Sequence, residues 1–271
     1  MARSDWRRPT EFSLSPGYRR IKLLVTYDGA QFAGWQRQKV DRTVQQEIET
    51  ALAKIIGVRI HVQGSGRTDS GVHALGQVAH FDTPNQSIPA DIFSLALNKL
   101  LPQDVRILSS SEVSDTFHAR FTAIRREYRY YCKEYHDYSP FDRNRVYRLR
   151  KFPPLDLLNG YAQTLVGTHD FRTFGAVADQ SHSKVRDLYT SDFHLEQSRW
   201  GGQLLVYTVS GNAFLMHQVR SMVGTMIELG ERGDPVEEFV RRLASKDRRQ
   251  AGKTAPPDGL YLYRIDYDEP T

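Results

Sequence analysis

One pattern constrains this chain more than any other: runs with strand periodicity are interrupted, in both halves, by stripes with helical periodicity. RIKLLVTYD (20–28), VRIHV (58–62), GQVAHFDT (76–83) and DVRILSS (104–110) read as strands of the first half. Between them, Thr43 with Gln46 three residues on resembles a capping box. Val44, Ile48, Ala51, Leu52 and Ile55 then form an apolar stripe at helical spacing. A second helix is expected from about Ala90 to Leu100. The second half begins near Phe117 with a long strand, AIRREYRYYCKEY (123–135), followed by a helix, LDLLNGYAQTLVG (155–167). LYTSDFHLEQ (188–197) and QLLVYTVSGN (203–212) form a predicted hairpin around Trp200, Gly201 and Gly202. Helices over 214–229 and 235–244 and a closing strand, GLYLYRIDYD (259–268), complete it. Strands broken by helices, with hairpins between, predict an α+β fold with mixed or antiparallel sheets. The expected organisation is a polar, flexible N-terminal tail (1–17), a first domain (18–116) and a second domain (117–271).

Composition narrows the class. Hydrophobic residues at 39% and charged residues at 25% describe a soluble globular protein. No apolar run approaches the roughly 18 residues of a transmembrane helix, and the basic N-terminal stretch lacks the apolar region of a signal peptide. Cys132 is the only cysteine, so no intramolecular disulfide can form. The expected location is cytoplasmic, with no membrane partner. The net charge of +5 favours a polyanionic partner, because neutralised phosphates release their counterions. Arginines interleave with aromatics in RREYRYY (125–131) and basic residues recur in KDRRQAGK (246–253). Arginine pairs with phosphate and stacks on bases, and tyrosine offers a face to an unstacked base. The plainer account of both segments is a solvated strand and a charged helix end.

The segment richest in chemistry is GSGRTDSGVHALGQVAHF (64–81), where Gly64, Gly66 and Gly71 surround Arg67 and Asp69 between two strands. The dinucleotide pattern fails because Asp69 occupies its sixth position, and no Gly-Lys-Ser/Thr follows as a P-loop requires. His61, His73, His80 and His118 lack metal-site spacing, and no serine sits in a nucleophile elbow. No metal and no cofactor are expected. Asp beside Ser and Gly most commonly makes a turn, and a loop arginine is most commonly a surface charge. The alternative is a single carboxylate that works as nucleophile or acid/base at a glycosidic carbon.

That segment closely resembles the catalytic motif of the tRNA pseudouridine synthase A family. Four further segments agree in order: YDGAQFAGWQRQ (27–38), FHARFTAIRREYRY (117–130), NAFLMHQVRSMVG (212–224) and KTAPPDGLYL (253–262). The catalytic loop shows no departure; Glu127, between Arg126 and Tyr128, stands where relatives also have arginine. The resemblance implies two α/β domains whose antiparallel sheets join across a basic RNA-binding cleft, and a homodimer in which one tRNA touches both subunits. It implies isomerisation of uridine to pseudouridine at tRNA positions 38, 39 and 40, in the anticodon stem-loop. Asp69 matches the essential aspartate, Arg67 the arginine that helps displace the target base, and Arg220 the basic partner of the aspartate. Tyr128 matches the tyrosine that stacks on uracil and assists proton removal at C5, and Leu260 lines the pocket. Arg126, in the same strand as Tyr128, is expected to contact substrate.

Physical argument supports these roles. A stacked uracil hides its glycosidic bond and must be extruded at a cost of a few kcal/mol, and Arg67 could fill the vacated space. His217, Arg220 and Gly224 are expected on one face of their helix, opposite Met222, Val223, Met226 and Ile227. Strand alternation puts Arg126, Tyr128 and Tyr130 on one side. His73 is expected to structure the loop, while Trp35 and Phe32 fit either a core or a contact role. Two other readings compete: a non-catalytic RNA-binding or RNA-folding protein on this scaffold, and a synthase acting on other RNA uridines.

Overall fold

The computed structural model describes residues 14–268; of the expected N-terminal tail, residues 1–13 lie outside that range. The chain runs β1 (Arg19–Tyr27), α1 (Val44–Ile56), β2 (Gln63–Gly64), β3 (His73–Thr83), α2 (Ile92–Asn98), β4 (Val105–Val113) and β5 (Ala123–Glu134). It continues with β6 (Tyr147–Leu149), α3 (Leu155–Gln163), β7 (Gly167–Asp170), β8 (Val185–Gln197) and β9 (Gln203–Gly211). It ends with α4 (Gln218–Arg232), α5 (Val236–Ala244) and β10 (Leu260–Tyr267).

The ten strands make one sheet in the order β4-β1-β3-β10-β5-β9-β8-β7, with β2 added to β3 and β6 to β5. Every pairing is antiparallel except β5 with β6 and β10 with β3. The second exception matters most. β10 pairs with β5 along its length, from Leu260↔Tyr130 to Tyr267↔Ala123, yet meets β3 only through Tyr261↔His73 and Leu262↔Ala74. This short parallel seam joins the strands of the first half to those of the second. The loop 65–72 enters β3 at the seam, which brings Gly71 against Pro257, just ahead of β10.

Alternation buries one face of β1, through Ile21, Leu23, Val25 and Tyr27, and of β5, through Arg126, Tyr128, Tyr130 and Cys132, whereas β3 is buried on both faces. Helix α1 begins where Thr43 Oγ1 accepts the Gln46 N–H at 3.4 Å, and ends at Gly57 in the left-handed region. Its Val44, Ile48, Ala51 and Leu52 enter the core. Helix α4 is buried nearly all round, including Met222, Val223, Met226 and Ile227. A Cβ on Gly224 would lie 1.9 Å from the Lys253 carbonyl oxygen, so only glycine lets the 253–255 segment run this close to the helix.

Three expected elements differ. VRIHV (58–62) is extended, with Ile60 and Val62 buried, but is not a strand. Side chains of α1 take its ladder bonds: Gln45 Nε2 donates to the Val62 carbonyl at 2.9 Å, and Glu49 Oε1 accepts the Val62 N–H at 3.2 Å. The helix expected from residue 214 starts at Gln218, because His217 has φ 62°. The helix expected to reach Gly167 stops at Gln163, and Gly167 opens the edge strand β7.

Candidate active site

The loop between β2 and β3 is held chiefly through its backbone. Ser65 N–H donates to the Val78 carbonyl at 2.8 Å, Trp35 N–H to Thr68 at 3.2 Å, and Gly71 N–H to Phe32 at 3.2 Å. Gln77 Nε2 donates to the Gly66 carbonyl at 2.8 Å, and the Tyr27 and Thr68 hydroxyls lie 2.8 Å apart. Gly34 has φ 99°, and a Cβ there would stand 2.5 Å from the Thr68 carbonyl oxygen. The 32–35 segment therefore works as a mould for the loop. Trp35 and Phe32 belong to the core, 2% and 3% exposed. His73 structures the loop's exit: its Nδ1 accepts the Gly29 N–H at 3.0 Å and its ring stacks on Tyr261.

The Asp69 side chain, 22% exposed, reaches across to the segment preceding and opening α4. Arg220 Nη1 donates to Asp69 Oδ2 at 3.1 Å, while Arg220 Nε donates to the Ala255 carbonyl at 2.8 Å. His217 Nε2 lies 3.5 Å from the same Oδ2. Among the described residues no hydrogen bond is made to Oδ1, so one carboxylate oxygen is anchored and the other is open. The expected pairing of Asp69 with Arg220 is present, across 151 positions of sequence.

Tyr128 is buried and packs edge-on against Phe214, with ring centroids 5.1 Å apart. Burial pushes its phenol up to about 12, against the opposing charge of Arg126 and with a smaller push from Asp69. Its hydroxyl lies against Gly66 of the loop. Leu260, 5% exposed, sits opposite Tyr130 in the register. Arg67 is exposed and touches Gln36 Oε1 through Nε at 3.3 Å.

Arg126 is placed differently from the others. It is 8% exposed, and its guanidinium donates to three backbone carbonyls: Asn212 at 2.6 Å, Arg120 at 2.7 Å and Ser65 at 3.3 Å. Burial lowers its pKa from the ordinary arginine value. A cation so engaged ties the loop to the turn at 118–122 and to the segment before α4. The interleaved Arg129 is also engaged within the protein, lying 3.6 Å over the Tyr263 ring and 3.3 Å from Glu127. His217 carried no expectation of a role at the carboxylate; its spacing of three from Arg220 was the available signal.

Among the described residues no three His, Cys, Asp or Glu side chains gather as a metal-binding group, and no helix is long and apolar enough to cross a membrane.

A sequence profile of the family described as tRNA pseudouridine synthase matches residues 23–122 and 161–268. The chain belongs to this family. Three relatives, each called tRNA pseudouridine synthase A, extend the match. The Exiguobacterium protein is 42% identical over 251 residues, covering 93% of this chain and 99% of its own. The Treponema denticola protein is 41% identical over 261 residues (94% and 96%), and the Bacillus pumilus protein 42% identical over 251 residues (92% and 99%). In this chain the first half supplies a loop carboxylate and the second half a cation to meet it.

Proposed function

We propose that this protein isomerises uridine to pseudouridine at positions 38, 39 and 40 in the anticodon stem-loop of tRNA, with Asp69 as the catalytic carboxylate. The observation that carries the assignment is the Asp69 side chain itself, one oxygen held by Arg220 at 3.1 Å and the other open to a ligand. In the reaction the N1–C1′ bond breaks, the uracil turns, a C5–C1′ bond forms, the C5 proton leaves and N1 gains one. Atoms and electrons balance within the substrate, so no oxidant, reductant or second substrate is required.

Each neighbour has a part. Arg220 compensates the carboxylate's charge, because an unpaired anion in a partly buried site is costly. Arg67, exposed beside the loop, enters the space a flipped uridine leaves and contacts phosphate. Tyr128 stacks on the uracil; with its phenol near 12 it is neutral at physiological pH, so it relays the C5 proton by passing its own hydroxyl proton toward N1, through solvent, as the C5 proton arrives. Leu260 provides an apolar wall. We assign Arg126 a supporting part beneath the substrate, since its guanidinium is spent on the backbone carbonyls of Ser65, Arg120 and Asn212. We take residues 18–116 and 117–271 as the two domains flanking the cleft, and a homodimer in the cytoplasm as the unit that grips one tRNA. An active monomer in sedimentation at micromolar concentration would count against the dimer. The function is tested by mapping pseudouridine in tRNA from cells with and without the gene. Loss confined to positions 38–40 is expected; an unchanged map would overturn the assignment.

A further inference from the structure

We infer that His217 is a positioning residue for the Asp69 carboxylate, and that its left-handed backbone is there to aim the imidazole. The inference rests on the reading of Asp69 as catalytic. His217 has φ 62° and ψ 0°, a region that costs any residue with a Cβ, although histidine is found there more often than most. The ordinary uses of such a residue are missing. It stands at the N-cap of α4 but its side chain makes no capping hydrogen bond. The local turn is closed by its neighbour instead, Gln218 Oε1 accepting the Leu215 N–H at 2.8 Å. Nor is it core, for its side chain is 35% exposed. What the ring does meet is Asp69 Oδ2, 3.5 Å from Nε2, on the oxygen that Arg220 also binds.

The preceding residue shows how the conformation is imposed. Met216 N–H donates to Asp179 Oδ2 at 2.8 Å, and the Met216 carbonyl accepts the Ala176 N–H at 2.9 Å. Asp179 is itself held by Lys184 Nζ at 2.6 Å. With both polar groups of Met216 fixed to the 176–184 loop, and Ser221 N–H donating to the His217 carbonyl at 2.9 Å, the backbone at 217 has little choice of direction. Disfavoured backbone at a reactive group is the situation in which strain serves geometry. The Arg220 hydrogen bond and the His217 ring 3.5 Å away meet the same oxygen, Oδ2, and together restrict a carboxylate that a single contact would leave freer to rotate. Oδ1 is thereby aimed at the substrate.

Two variants separate this role from a structural one. His217→Asn keeps a residue that tolerates the left-handed region and can cap a helix, but its amide is too short to reach Oδ2. His217→Gln places an amide nitrogen near the position of Nε2. We expect His217→Asn to fold with undiminished thermal stability and to bind tRNA within about twofold of wild type, while kcat falls roughly tenfold or more. His217→Gln should recover most of that loss. A wild-type kcat in His217→Asn, or a His217→Gln as slow as His217→Asn, would overturn the inference. Asp69→Asn run in the same assay keeps the two readings apart: if it turns over normally the catalytic assignment of Asp69 fails, whereas a dead Asp69→Asn beside a fully active His217→Asn removes only the role of His217.

Discussion

The loop 65–72 and the segment 212–220 reach Asp69 from the two halves of the sheet, and they are held in place by different means. The loop is fixed by backbone bonds to Val78, Phe32 and Trp35 and by the side chains of Gln77 and Arg126 on its carbonyls. Only Arg67 and Asp69 are left to face outward chemically. The second segment is also tied by backbone bonds, to Asp187 and Ala176, but what it presents to the carboxylate is side chains, with Arg220 and His217 both directed at Oδ2. A rigid backbone therefore positions the carboxylate, and adjustable side chains hold it. Disturbing the first should damage fold and chemistry together, whereas disturbing the second should damage chemistry with the fold intact.

The largest expected effect tests the loop's mould. Trp35→Ala removes a fully buried indole that lies against Gly64, and should cost about 3–5 kcal/mol in urea denaturation. Turnover should fall with it; an unaffected loop chemistry in a destabilised protein would break the comparison. Arg220→Gln comes next. It removes a charged donor to Oδ2, worth about 1.5–3 kcal/mol, so turnover should drop roughly 10- to 100-fold while tRNA affinity changes little. A variant that lost affinity instead would make Arg220 an RNA contact.

Acid should strike the loop's side first. His80 and His118 are both 3% exposed and accept backbone N–H groups of the turn 118–122 that Arg126 also grips. Burial lowers His80 from 6.5 to about 3 and His118 to about 4. Because the folded values are depressed, the stability they confer is complete above pH 6.5 and drains away as pH falls toward 4 and 3. At pH 5 the loss is at most about 2 kcal/mol per histidine, readable as a lower urea midpoint than at pH 7. A flat profile would contradict it. The smallest effect is expected from Arg67→Ala, the exposed side chain of the loop. It should weaken tRNA binding by about 1 kcal/mol and make the slope of log K against log salt shallower by roughly 0.7–0.9, one phosphate contact.

These differences also mark what could be read before the fold was known. The loop motif was legible because its residues are contiguous, and α1 because Thr43 with Gln46 and the apolar stripe are local signals. Alternation along β5 put Arg126, Tyr128 and Tyr130 on one side, but could not say that this side is the core. Arg126 consequently reads as an RNA contact in sequence and appears as a buried brace in space. VRIHV has strand composition, yet its backbone partners are the side chains of Gln45 and Glu49, which no local pattern announces. His217 was hidden for a similar reason: its direction follows from one positive φ, imposed by Asp179 across 37 positions. Trp35 and Phe32 could not be assigned because an aromatic beside a glycine turn suits core and contact equally.

The central claim is that Asp69 acts chemically. Its most direct test is release of a C5 tritium label from tRNA uridine by wild type and Asp69→Asn, with a binding titration on both. The amide has nearly the same shape, and both residues favour turns, so the loop should keep its form and tRNA affinity should change by no more than about 1 kcal/mol. The account predicts release by wild type and none detectable by the variant. Normal release by Asp69→Asn, with deamidation excluded by mass spectrometry, would contradict it.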